Sequence, residues 1–212
     1  VPLVERWRRD SYCRVHWGLV LSLLVNLCYA GLRIVCAVRY ASFWDGALGF
    51  YYVLLCALRI YLIRCMPDGN GGVPYAAELC TYRNAGWLLM GLDLALTGIA
   101  VQIVQDGQGY DYPGTLIYAA AAYSFYCLTM AVINAVKYRR FRSPVLSAAK
   151  AVSLTTAFVS IFSLETAMLA QFGGEARFQQ VMTASTAAAV CALVLGIALY
   201  MVLSAGRKRK QL

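Results

Sequence analysis

The chain has 212 residues, 61% of them hydrophobic and only 14% charged, with a mean hydropathy of +0.61. A soluble domain carries roughly 25% charged residues to cover its surface, so the composition excludes an ordinary water-soluble globule and points to lipid as the solvent. The net charge of +9 does not mark a nucleic-acid binder, because the basic residues fall in short clusters between apolar blocks, as juxtamembrane segments do.

A hydrocarbon core of about 30 Å needs roughly 20 helical residues to cross it. Six apolar blocks reach that length: 16–38, 44–63, 84–104, 114–136, 144–170 and 178–204. The first follows a basic N-terminal stretch; it is as long as a full span and lacks a convincing cleavage site, so it reads as a span and not as a signal peptide. The absence of an initial Met suggests a trimmed start. The second block opens at the turn-like Asp45-Gly46, and Pro67-Asp68-Gly69-Asn70-Gly71-Gly72 separates it from the third. Tyr110-Asp111-Tyr112-Pro113-Gly114 introduces the fourth, and Gly173-Gly174 divides the fifth from the sixth. The blocks are continuous and lack period-two alternation, which favours helices over a β-barrel. The expected fold is all-α, a polytopic membrane helix bundle of about six transmembrane helices forming a single integral membrane domain over 1–212.

Most Lys and Arg lie in the stretches 6–14, 64–83, 137–142 and 207–210, all on one face of this arrangement; the other face receives only Arg39 and Arg177. The positive-inside rule therefore predicts a multi-pass cell-membrane protein with both termini cytoplasmic. Its expected partners are the lipid bilayer and the anionic headgroups of the cytoplasmic face. Trp17, Trp44, Trp87, Tyr40, Tyr110, Tyr112 and Tyr138 fall near span ends, where amphipathic rings favour the interface. Tyr51, Tyr52 and Tyr123 lie deeper and need internal hydrogen-bond partners or a wet cavity.

Eight cysteines invite a disulfide or metal reading. Cys28, Cys36, Cys56, Cys127 and Cys191 fall in apolar blocks, where a thiol packs as a small hydrophobe. Cys13, Cys65 and Cys80 lie near the reducing cytoplasmic face, and no C-x-x-C occurs. His16, the only histidine, sits beside Trp17 and reads as a headgroup contact. There is no P-loop, dinucleotide fingerprint or G-x-S-x-G in a suitable context. No catalytic residue, metal or cofactor is assigned, and an enzyme is the least supported of the function classes.

An internal match is the most informative pattern. Ala37-Val38-Arg39-Tyr40 resembles Ala135-Val136-Lys137-Tyr138 at an offset of 98, and Phe43 matches Phe141. The same offset pairs Leu48 with Leu146, Ile63 with Ile161, and Gly98-Ile99-Ala100 with Gly196-Ile197-Ala198. Candidate halves 14–105 and 112–204 then form a 3+3 repeat, and three spans per half force the two halves to lie inverted in the bilayer. Inverted repeats build many transporters. The competing explanation is chance, since Ala, Val and Leu match easily in membrane sequences.

Arg33, Arg59, Lys150, Asp93 and Glu165 fall inside predicted spans, where a charge costs at least about 2.5–3.5 kcal/mol and needs a partner or water. Matching depths at about 1.5 Å per residue predicts two ion pairs, Arg59 with Asp93 and Arg33 with Glu165. Lys150 is near enough to the cytoplasmic face to snorkel. Asn26, Asn134, Gln102 and Gln171 add polar atoms. These residues form either a solute pathway between the halves or a set of interhelical clamps. Small residues at Ala119–Ala122, Gly91-x-x-x-Ala95, Ala184-x-x-x-Ala188 and Ser185-x-x-x-Ala189 permit close helix packing and offer a surface for a homodimer.

Three segments, Phe125-Tyr126-Cys127-Leu128-Thr129-Met130-Ala131, Ser143-Pro144-Val145-Leu146-Ser147-Ala148-Ala149-Lys150 and Ser163-Leu164-Glu165-Thr166-Ala167-Met168-Leu169, carry a family likeness. Through them most of the chain resembles uncharacterised six-span membrane proteins of Gram-positive gut bacteria. That resemblance implies membrane placement and bacterial origin, and no chemistry. Lysine-exporter-type transporters share a three-plus-three architecture, but their proline-rich motif is missing here and nothing is carried over from them. The sequence reading is a small membrane transporter or channel for a small polar or ionic solute. The alternative is a non-transporting membrane partner or sensor that docks lipid or another protein.

Overall fold

The structure is a computed structural model that describes residues 11–40, 42–66, 75–106, 114–137, 143–172 and 175–209. These form six helices: α1 (Ser11–Tyr40), α2 (Phe43–Arg64), α3 (Tyr75–Asp106), α4 (Gly114–Lys137), α5 (Pro144–Phe172) and α6 (Ala176–Arg209). All six are long and apolar enough to cross a membrane, and there is no strand among the described residues. The chain is an all-α multi-pass membrane protein. Tyr110, Tyr112, Tyr138, Phe141 and the basic residues Arg6, Arg8, Arg9, Arg139, Arg140, Arg142 and Lys210 lie outside the described residues.

The helices outrun the apolar blocks that announce them. α3 starts at Tyr75, well before the hydropathy boundary at 84, and α6 continues to Arg209. Hydropathy ends where Glu78, Arg83 and Lys208 appear, but Ala, Glu, Leu, Lys and Arg are good helix formers and keep the backbone helical past it.

Two helix starts are set by local chemistry that also fixes their neighbours. Ser42 caps α2, its Oγ accepting the Asp45 N–H at 3.2 Å. Ser42-Phe43-Trp44-Asp45 is thus a capping sequence, and it carries Asp45 into the first turn of the helix. Pro144 occupies the first position of α5, where its missing N–H costs nothing. The preceding Ser143 donates to Glu78 Oε2 at 2.6 Å, tying the start of α5 to the start of α3.

α1 packs chiefly on α2, α4 on α5, and α3 on α6, with further contacts of α2 with α3 and α5, and of α5 with α3 and α6. α5 is the central helix: 72% of its most apolar window is buried, against 22% for α6. Its alanines Ala148, Ala149, Ala157 and Ala167 let four neighbours approach. The outward faces carry Val38, Leu94, Tyr118 and Phe172, more than 70% exposed within the protein itself. In lipid, that surface faces acyl chains.

Close helix crossings rest on glycines other than those expected. A Cβ at Gly86 would stand 2.9 Å from Val202 Cγ2, 3.1 Å from Met201 Cβ and 3.3 Å from the Ala198 carbonyl oxygen, so α3 meets α6 there almost backbone to backbone. Gly49 does the same for α1 and α2, 3.0 Å from Ile34 Cγ1 and 3.3 Å from Arg33 Cβ. Gly91 has nothing within 4 Å, and it and Ala95 are exposed. The Gly91-x-x-x-Ala95 stripe therefore points outward and holds no helix of this chain.

Candidate functional site

Polar side chains collect where α1, α2, α4 and α5 converge. On α1, Ser22, Asn26, Tyr29 and Arg33 recur every three or four residues and so share one face. Asp45, Tyr52 and Arg59 are spaced by seven on α2, and Ser153, Thr156, Ser160 and Ser163 by three or four on α5. Tyr123 and Asn134 complete the set from α4. All of these residues are buried. From Ser153 to Ser163 the seam runs about 15 Å at 1.5 Å per residue.

One end of the seam is electrically neutral, with its arginine fully engaged and the Asp45 Oδ2 left without a partner. Arg33 forms an ion pair with Asp45 through Nη1 and Oδ1, and the two side chains are 0% and 1% exposed. Its Nε and Nη2 donate to the Tyr29 hydroxyl at 3.0 and 2.8 Å, and Nη2 also donates to Ser163 Oγ. The guanidinium carbon stands 5.3 Å from the Tyr29 ring centroid, adding a cation–π contact. Gly49, one turn beyond Asp45, admits α1 closely enough for this pairing. The expected partner, Glu165, is only partly buried and lies against Thr186 of α6. Arg33 pairs within its own half of the chain because the capped start of α2 brings in a nearer carboxylate.

Three tyrosines fill the middle. The Tyr29 and Tyr123 rings stack with centroids 3.6 Å apart at 8°, and Tyr52 stands edge-on to both at 5.1 and 5.6 Å. Tyr123 donates its hydroxyl to Asn26 Oδ1 at 2.5 Å. α1 and α4 meet here through rings and an amide, without the close backbone approach seen between α1 and α2.

Below the tyrosines lies Arg59, 5% exposed. Its Nη1 donates to Ser22 Oγ, and its Nη2 makes only long bonds to Thr156 Oγ1 at 3.3 Å and Ser153 Oγ at 3.5 Å. Nε has no partner. Among the described residues no carboxylate pairs with it. The expected pairing with Asp93 is not made: Asp93 stands near Tyr51, about two turns from Arg59 on α2, and near Cys191 of α6, and its Oδ1 is buried without a partner. Asn134 Nδ2 donates to Ser153 Oγ at 3.3 Å. Asn26 Nδ2 and the hydroxyl of Tyr52 are also buried and unpartnered. Hydrocarbon supplies no hydrogen bonds, so such atoms in a spanning bundle call for a guest or water.

Lys150 stands apart from the seam. It lines a groove of about 560 Å³ between α3, α4, α5 and α6, walled by Leu79, Leu154, Ile197 and Met201 and edged by Tyr200 and Lys208. Of the expected polar residues, then, the structure joins Arg59 and Asn134 around Ser153, and puts Asn26 and Arg33 on the same face of α1. Asp93, Glu165 and Lys150 are elsewhere, and Gln102 and Gln171 are exposed. The sequence reading takes Asp45 as part of a turn and passes over Tyr29 and the α5 hydroxyls. The signal for the hydroxyls is present at 153, 156, 160 and 163, a one-sided Ser/Thr stripe inside an apolar span. No protein-family model matches the chain, and no curated protein matches it.

Proposed function

We propose that the chain is a small transporter or channel of a bacterial cell membrane, carrying a small polar or ionic solute along the seam between α1, α2, α4 and α5. The observation that carries this reading is Arg59, a buried cation with no carboxylate partner among the described residues and one N–H unused. An interhelical clamp neutralises its own charge, as Arg33 and Asp45 do, whereas Arg59 keeps its charge and one N–H open for a solute. The 3+3 repeat supports the same reading. Under it, the α1–α2 contact corresponds to α4–α5 and the α2–α3 contact to α5–α6, while α2–α5 and α3–α6 lie on the axis relating the halves. Only the α3–α5 contact lacks an equally extensive counterpart between α6 and α2. The end bearing Arg64, Arg207 and Lys208 is the cytoplasmic one in this reading, so Arg33 and Asp45 lie toward the outside.

A second reading, a membrane partner or sensor without transport, draws on the groove beside Lys150. Apolar walls with two lysines at the edge suit an anionic lipid, its tails in the groove and its headgroup at Lys150 and Lys208. Vesicles containing the purified protein, challenged osmotically with sodium salts, amino acids and sugars, separate the two. Faster re-swelling than protein-free vesicles for at least one solute, altered by Tyr123→Ala, supports transport. No acceleration for any solute, with the protein folded, removes it.

A further inference from the structure

We infer that Arg59 is the seat of a small organic monocarboxylate. This inference rests on the solute-pathway reading above and names the chemistry of that solute. The geometry of the guanidinium selects the class. Nη1 is anchored on Ser22 Oγ, whereas Nε is unpartnered and Nη2 is held only by the two long bonds to Thr156 and Ser153. Nε and Nη2 form one edge of the planar fork, and that edge is the one a carboxylate grips with both oxygens.

The neighbours reinforce the choice. Ser153 Oγ accepts from Arg59 and from Asn134, so its own hydrogen is left to donate. Asn26, one turn along α1 from Ser22, keeps a buried Nδ2 without a partner. The open groups around the guanidinium are therefore mostly donors, which match an anion and repel a cation. The charge count limits the guest to one negative charge: a single buried guanidinium is neutralised by a monoanion, whereas a dianion leaves an unpaired charge away from water. The phenols of Tyr123 and Tyr126 and the thiols of Cys56 and Cys127 stand near the guanidinium, and none of them carries a competing negative charge at neutral pH.

The test uses the full chain in detergent, with thermal unfolding followed in sodium sulfate at constant ionic strength. The probes are sodium propionate, its neutral isostere propionamide, and sodium chloride. A saturable rise in melting temperature with propionate, at least tenfold weaker in half-saturation for chloride and absent for propionamide, supports the assignment. Arg59→Met abolishes the shift, and Arg59→Lys, which keeps charge but loses the fork, weakens it at least tenfold. Equal shifts for propionate and propionamide, or for propionate and chloride, overturn it, as does a wild-type shift that survives in Arg59→Met. Where Arg59→Met does not fold, Ser153→Ala serves: severalfold weaker half-saturation is expected, and an unchanged value counts against the site. A protein that ignores propionate yet carries other solutes across vesicles loses this assignment and keeps the transport reading. One that binds propionate and moves nothing does the reverse.

Discussion

Asp45→Asn is the sharpest probe of the bundle, because the pair it breaks is the most deeply buried charge among the described residues. Arg33 and Asp45 are 0% and 1% exposed, so neither can reach water when its partner is lost. Removing one member of such a pair costs about 3–5 kcal/mol. The remaining bonds of Arg33 to Tyr29 and Ser163 place the effect near the lower figure, about a hundredfold in the unfolding equilibrium. The two single variants should differ in a definite order. Arg33→Met leaves a carboxylate, which escapes by taking up a proton, whereas Asp45→Asn leaves a guanidinium, which cannot lose one. Asp45→Asn is therefore the more damaging. The double variant Arg33→Met/Asp45→Leu removes both charges and should cost less than either single change, because apolar replacements of a buried pair are often neutral. Equilibrium unfolding in mixed micelles with rising sodium dodecyl sulfate, followed by helical circular dichroism, measures all three. Costs below about 1 kcal/mol for Asp45→Asn, or a double variant equal to the sum of the singles, would refute the buried-pair argument.

Three further outcomes are expected. Gly86→Val should destabilise by about 1–3 kcal/mol, since its first carbon meets Val202 at 2.9 Å, whereas Gly91→Val should be near neutral; melting temperatures of the two variants decide, and equal losses would deny the close α3–α6 crossing. Tyr123→Phe removes the bond to Asn26 and should cost about 0.6 kcal/mol, the average for hydrogen bonds inside membranes, and no more than about 1.7 kcal/mol, read in the same unfolding assay. Single cysteines at positions 208 and 177, probed with a membrane-impermeant maleimide on intact cells, should label at 177 and not at 208; labelling at 208 reverses the assigned orientation.

The spans were legible because hydropathy is a property of whole segments, and lipid asks only for length and continuity. Pairing is a property of direction around each helix, and depth alone does not carry it. Arg59 bonds to α1 and α5, whereas Asp93 stands near Tyr51 of α2 and Cys191 of α6. Depth alone matches Arg33 with Glu165, and Asp45-Gly46 reads as a turn. The Ser-x-x-Asp cap at 42–45 was the available clue that the residue lies inside a helix. The α5 stripe escaped notice for a different reason: Ser and Thr in apolar spans commonly bond back to their own backbone, as Thr156 does to the Val152 carbonyl at 2.8 Å, and only packing shows which of them also meet an arginine.

The contact between α1 and α4 has a consequence for gating. It is made of stacked phenol rings and one amide, so parting it breaks no main-chain hydrogen bond and shifts no helix out of register. Parting the rings still requires Tyr29 to give up its two bonds from Arg33. A conduit gated here would therefore open by rearranging side chains, as a pore does, and without the swing of a whole helical unit that a rocking carrier needs.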